Sequence, residues 1–275
     1  MTQQVPNDPI TNAQNHGENF DLKEEIRAYW SDRAERFDES ASHHIEAKYG
    51  VPEWHKMLRR AFGLAPDQNL QGASMLDIAC GTGEISRVLC DFGATVTGLD
   101  FSDAMHAKSR AKLENQNWQA LTCDAELLVG VPDNSFDYAI TRHLVWTLTD
   151  HKAAFSEWER VLKPGGKILI IDGNFSKKRG LFQRCKWWVA GLLEASEPRS
   201  PEEMHHHQDI LNRLPFRDGL YPENLKADME KAGFVGCRNI SVKGLYRAGM
   251  RGWPLPTRLR QTSANRFALV GTTRL

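Results

Sequence analysis

Met75-Leu-Asp-Ile-Ala-Cys-Gly-Thr-Gly-Glu-Ile-Ser86 is the stretch whose reading decides the fold. It opens as a short buried strand, turns through Cys80-Gly81-Thr82-Gly83 and starts a helix at Glu84. Glycine at 81 and 83 suits such a turn, because without a Cβ the backbone takes positive φ and lets a ligand approach closely. The helix after it aims its first N–H groups back at that ligand, which favours an anionic group there. A second buried strand, Ala94 to Asp100, ends in an acid. That acid stands about 20 residues past the glycines, where a nucleotide-binding βαβ unit places its ribose ligand.

Two details narrow the ligand. Asp77 sits at the end of the first strand, where a carboxylate would repel a pyrophosphate. Ser86 stands where the dinucleotide fingerprint needs its third glycine. A ligand with a ribose and an ammonium group but no phosphate fits this site, and S-adenosyl-L-methionine has that make-up.

Asp77-x-Ala79-Cys80-Gly81-Thr82-Gly83 resembles the first motif of class I S-adenosyl-L-methionine-dependent methyltransferases. Leu99-Asp100, Cys123-Asp124-Ala125, Phe136 to Ile140 and Arg160 to Lys167 follow in matching order. Together they resemble the small-molecule group that includes the ubiquinone and menaquinone enzymes. The resemblance covers roughly Ser74 to Asp172. It implies an α/β fold: a Rossmann-like, seven-stranded, mostly parallel sheet with helices on both faces.

Around this unit the chain divides into three regions. Residues 1–19 are polar and read as a disordered tail. Residues 20–70 carry two amphipathic helices, Asp21 to Phe37 and Pro52 to Phe62. The resemblance implies that such helices cover the cofactor cleft and close it with an aromatic. Tyr29 and Trp30 are the candidates, and as plain core aromatics they would instead only pack the helix on the sheet. Residues 71–275 form the methyltransferase domain. Its strands are expected at Trp118 to Thr122, Phe136 to Ile140, Lys167 to Asp172, Phe234 to Tyr246 and Arg266 to Thr273. The interval 173–216 is too long for a simple connection and reads as a helical cap over an acceptor site.

The resemblance also assigns roles. The Gly81 and Gly83 backbone, with Asp77 and Ala79 nearby, would hold the methionine end. Asp100 would accept from both ribose hydroxyls, and Asp124 with the Ala125 backbone would read adenine. Phe101 or Met105 would pack on the adenine face. Methyl transfer needs alignment and exclusion of water, with a base only where the acceptor carries a proton. His143, just past the fourth strand, is the base candidate; its alternative role is to orient the loop or the cofactor. Arg142 would hold an acidic group on the acceptor or pair with a surface carboxylate. Trp146, Trp187, Trp188 and Trp30 suit an aromatic-lined acceptor site.

His205-His206-His207 invites a metal reading. Adjacent helical residues point about 100° apart, so no metal is expected, and His206 facing the acceptor is the preferred role.

The totals exclude several classes. Net charge is zero, which speaks against a nucleic-acid partner. No run of 18 apolar residues occurs, so no membrane span is expected. Five cysteines without paired spacing, and no apolar leader, suggest reduced thiols in the cytoplasm; a monomer or homodimer is expected. Two other classes remain: a Rossmann-type nucleotide-dependent oxidoreductase, and a non-catalytic S-adenosyl-L-methionine-binding partner protein.

Overall fold

A parallel strand run between two apolar layers is what positions the cleft. The structure, a computed structural model, describes residues 9–40, 43–175, 181–193, 201–262 and 265–275. Strands β1 (Ser74–Ile78), β2 (Thr95–Asp100), β3 (Trp118–Thr122), β4 (Phe136–Arg142), β5 (Leu162–Gly173), β6 (Val235–Ile240) and β7 (Arg266–Thr272) form one sheet. Its order is β3-β2-β1-β4-β5-β7-β6, with β7 antiparallel to both neighbours. The chain moves outward from β1 to β3, then returns to the other side of β1 as β4. Ligands bind at the strand carboxyl ends where the winding reverses in this way.

Side chains alternate between the two faces. In β5, Ile168 and Ile170 face one core with Leu76, Phe155 and Trp158, while Leu169 and Ile171 face the other with Leu58, Met75 and Val88. Both faces are covered, which accounts for the unbroken apolar run in β5.

Helices α1 (Pro9–Ser31) and α2 (Gly50–Phe62) precede the sheet, and α3 (Glu84–Asp91), α4 (Asp103–Lys112) and α5 (His151–Val161) connect its parallel strands. Two of these helices are capped by a side-chain oxygen. Ser102 Oγ accepts from the Met105 N–H, and the Asp150 carboxylate accepts from Lys152 and Ala153. Later come α6 (Leu181–Leu193), α7 (Pro201–Arg213), α8 (Pro222–Lys231), α9 (Lys243–Gly249) and α10 (Leu255–Gln261).

Three boundaries differ from the sequence reading. Helix α1 already begins at Pro9, inside the stretch read as a tail, and residues 1–8 lie outside the described residues. The interval 173–216 supplies α6 and α7, which part company: α6 packs on α10, and α7 packs on α1. Lys177 to Arg179 lies outside the described residues. Strand β6 stops at Ile240, where Ser241 Oγ accepts from the Lys243 N–H and a helical turn takes over. Tyr246 therefore sits on α9 and not in a strand.

Candidate active site

The turn after β1 is tied to the end of β2. Ala79, Gly81 and Gly83 all take positive φ, at 56°, 55° and 83°. The Gly81 N–H donates to Asp100 Oδ2 at 2.9 Å, and the Ser102 N–H donates to Asp100 Oδ1 at 2.9 Å. One carboxylate thus fixes both βα turns. Gly83 is needed for packing: a Cβ there would lie 2.9 Å from Leu113 Cδ1 and 3.1 Å from Ser109 Cβ. Asp77 is buried and accepts from Ser86 Oγ at 2.6 Å. Burial pushes its carboxyl up to about 6, against the Ser86 bond and the Arg142 charge. Burial also raises Asp100, against its bonds from Ser102 and Gly81. The Asp100 charge adds to the rise at Asp77 from the adjacent strand end, in register Asp77–Gly98 and Ile78–Leu99.

A cleft of about 420 Å³, open solvent included, lies over these ends. Ala79, Asp100 and Phe101 line it, as do Asp124, Ala125 and Glu126 beyond β3. Leu144 and Thr147 to Thr149 close it from the β4 side, and Lys23 and Ile26 from α1. Lys23 Nζ lies 2.7 Å from Asp124 Oδ2 and 2.7 Å from Glu126 Oε2. Burial opposes the Lys23 charge, and the two carboxylates outweigh it and hold the amine above its usual range. Met105 does not reach the cleft; it is buried beneath Gly81.

A second cavity of about 230 Å³ adjoins the first, sharing Ile26 and Thr147 with it. Tyr29, Trp30, Trp146 and His207 form its aromatic wall. Tyr29 and Trp30 meet edge to face at 5.2 Å, and His207 stacks on Tyr29 at 5.4 Å. Trp146 Nε1 donates to the His143 carbonyl at 2.9 Å, which orients the indole. Two expected contributors lie elsewhere. His206 touches the Tyr29 ring edge to face at 5.9 Å, points its Nε2 to Glu25 Oε1 at 3.1 Å and does not line the cavity. Trp187 rides on α6, which packs on α10, and lines neither cavity. Exposed Trp188 lines neither.

Beyond β4 lies a polar cluster. His143 takes φ 62°, a left-handed turn that re-aims the chain as β4 ends. Its Nε2 is 3.2 Å from the Tyr246 hydroxyl, and Phe175 meets its ring edge to face at 5.3 Å. Burial, then the charges of Arg142 and Arg266, push His143 well below the ordinary histidine range. It is neutral at physiological pH. His43 is held down to about 4, by burial and by Arg142. Arg142 donates to the His43 carbonyl at 2.8 Å.

The residues that sequence reading misses are Lys23, Glu126, His207, Tyr246 and Arg266. One of them leaves a signal: His207, Ile210, Leu211 and Leu214 share the i, i+3, i+4, i+7 spacing of an inward helix face. The others meet the site only through contacts between distant segments.

Fit to a nucleoside-amino acid can be judged from this donor set. Acidic acceptors stand at the ends of β2 and β3, a turn of positive-φ residues follows β1, and no phosphate-binding third glycine is present. Those features suit S-adenosyl-L-methionine. Among the described residues no three His, Cys, Asp or Glu side chains gather as a metal site, and no helix is long and apolar enough to cross a membrane.

The chain is a class I S-adenosyl-L-methionine-dependent methyltransferase. A methyltransferase-domain family model matches residues 76–170, the β1 to β5 unit. Demethylmenaquinone methyltransferase of Staphylococcus aureus is 28% identical over 201 residues, covering 70% of this chain and 78% of that protein. Among solved structures, Haemonchus contortus phosphoethanolamine N-methyltransferase 2 with S-adenosyl-L-methionine aligns with a TM-score of 0.58 at 20% identity. That alignment covers 90% of this chain, which spans 60% of the Haemonchus one. A SAM-dependent methyltransferase from Aquifex aeolicus aligns with a TM-score of 0.54 at 17% identity, over 88% of this chain and 97% of that one. The last two likenesses are likenesses of fold.

Proposed function

We propose that the methyl acceptor is a small aromatic or heterocyclic molecule bound in the cavity of Tyr29, Trp30, Trp146 and His207. The observation that carries this reading is the shared wall: Ile26 and Thr147 border both that cavity and the cofactor cleft. A ring held there would lie beside the cofactor's reactive end. The name of the Staphylococcus relative, with its quinone acceptor, supports a ring as well.

When bound, S-adenosyl-L-methionine supplies an electrophilic methyl group on a sulfonium. The chain's own residues do the rest. Asp100 receives the ribose hydroxyls, Asp124 and the Ala125 backbone the adenine edge, and Phe101 its face. The backbone of Ala79, Gly81 and Gly83, with Asp77 close behind, seats the methionine end. Met105 supports that turn from below. The aromatic wall aligns the acceptor and excludes water, the main contributions this displacement needs. Neutral His143, next to the Trp146 turn, takes the acceptor's proton where it carries one. A cytoplasmic setting belongs to the same reading, supported by five unpaired cysteines.

The test combines calorimetry with label transfer. Micromolar binding of S-adenosylhomocysteine is expected, with methyl label moving to members of a panel of phenols, quinols and N-heterocycles. Trp146→Leu should raise the acceptor KM about tenfold or more and leave cofactor affinity unchanged. Intact cofactor binding with no transfer to any ring compound would overturn the aromatic acceptor.

A further inference from the structure

Two guanidinium groups stand at the ends of β4 and β7 with no salt bridge to a carboxylate among the described residues. Arg142 ends β4 and Arg266 opens β7, with β5 between them. Both are crowded by surrounding protein yet keep part of their surface accessible. Arg142 donates to the His43 carbonyl at 2.8 Å and lies 5.7 Å from the Trp54 ring centre. Arg266 donates to the carbonyl and Oε1 of Gln261 and lies 4.3 Å over the Tyr246 ring. Its Nε is buried with no acceptor. Among the described residues neither guanidinium forms an ion pair. Asp172 does not serve: strand alternation puts it on the opposite face, where its Oδ1 takes the Gly173 N–H.

Desolvated cations without an ion-pair partner are strongly disfavoured; Glu84 and Asp77 act on Arg142 without pairing with it, Arg266 faces only the Tyr246 hydroxyl, and the two guanidiniums repel each other. An arginine fork matches the oxygens of a carboxylate or phosphate. We propose that Arg142 and Arg266 cradle an oxyanion carried by the acceptor, so that the substrate class is a ring-bearing acid. This rests on the methyltransferase reading above.

The cofactor's own methionine carboxylate is the competing source of such an anion. Strand order separates the two. The nucleoside end lies over β3 and β2, and the turn after β1 adjoins Arg142. At about 4.8 Å per strand, Arg266 on β7 stands about 10 Å beyond β4, on the side away from the nucleoside. Trp146, Phe175 and His143, whose rings meet at 5.5 and 5.3 Å, run from the wall of the aromatic cavity toward this cluster.

The experiment titrates the full chain, saturated with S-adenosylhomocysteine, with 4-hydroxybenzoate, phenyl phosphate and 4-hydroxybenzamide. At least one acid should bind about tenfold or more tighter than the neutral amide. The better acid tells carboxylate from phosphate. R266Q should abolish the preference while S-adenosylhomocysteine affinity stays within about threefold of the unaltered chain. Equal binding of acids and amide, with the cofactor product bound, overturns the cradle and leaves the methyltransferase reading standing. The comparison needs no variant, so a misfolded mutant does not rescue it. Equal loss of S-adenosylhomocysteine and acid in R266Q would assign the guanidinium to the cofactor and overturn the proposal. No binding of S-adenosylhomocysteine at all would sink both readings.

Discussion

Lys23 Nζ sits 2.7 Å from Asp124 Oδ2, so the covering helix is pinned to the acid assigned to adenine. The same ammonium meets Glu126 at 2.7 Å, and Glu126 is held in turn by the Thr149 N–H at 2.6 Å. Helix α1, the cleft floor beyond β3 and the loop after β4 are thereby joined through one amine. An adenine amino group arriving at Asp124 must compete with that amine or share the carboxylate with it.

Removing the amine tests whether α1 gates the cleft. Lys23→Met keeps the aliphatic stem and deletes the charge. The variant should melt a few degrees lower, since Asp124 and Glu126 lose their common partner. Cofactor association, followed by quenching of tryptophan fluorescence in a stopped-flow instrument, should quicken several-fold because the entrance is no longer latched. An unchanged association rate would show that the pair is structural and that the cleft opens by another route.

Asp100 carries more than its ribose role. Its two oxygens hold the Gly81 and Ser102 N–H groups. Each such bond to a charged group contributes about 1.5–3 kcal/mol. Asp100→Ala should therefore weaken S-adenosylhomocysteine by about 100-fold or more and also lower stability. Asp100→Asn keeps one carbonyl acceptor and should lose less of both. Calorimetry and thermal melts on the two variants separate ribose contact from turn support. Loss of binding with full stability in both would assign Asp100 to the ligand alone.

Much of this core is legible because it is local. Strand, turn and helix follow one another between Met75 and Ser86, and Asp100 and Asp124 end the next two strands. Backbone geometry alone carries such residues to one sheet edge. The residues that meet across sequence are another matter. Lys23 and Asp124 are 101 positions apart, and His143 and Tyr246 are 103 apart. No spacing rule links them. Tyr246 is further hidden because Phe234 to Tyr246 reads as one strand, while the chain breaks at Ser241 into α9. His206 and His207 differ by one helical step, and only the Ile210, Leu211, Leu214 stripe tells which faces inward.

Asp172 gives a pH prediction. It is fully buried, its Oδ2 has no donor, and burial lifts its carboxyl to about 7 from an ordinary value of 3.8. A carboxyl raised in the native state binds a proton there that the unfolded chain has released. Stability is thus fully present below about pH 4 for this group and is lost as pH rises toward 7. Asp77, raised to about 6, adds in the same direction. Asp172→Asn removes the charge and should melt higher than the unaltered chain at pH 8. The gain is at most on the order of 4 kcal/mol and should shrink toward zero near pH 4. A pH-independent difference between the two melting curves would mean that Asp172 does not titrate in this range.

His143 combines a left-handed backbone with a neutral ring, and one substitution separates the two. Asparagine tolerates positive φ better than other non-glycine residues, so His143→Asn should preserve the turn after β4. Cofactor affinity should survive, because His143 lines neither side of the nucleoside cleft. If the imidazole takes the acceptor's proton, kcat should fall about 100-fold or more. His143→Ala should lose the same activity and some stability besides, since alanine fits the left-handed region poorly. The pH profile supplies the second readout. With its imidazolium disfavoured by burial and by Arg142 and Arg266, the ring stays unprotonated well below 6.5. The unaltered enzyme should therefore hold its kcat/KM as pH falls from 8 to about 6, where an ordinary histidine base would already lose about half or more of its activity. A break near 6.5 that disappears in His143→Asn would place the ring in contact with solvent and remove the electrostatic basis for its role.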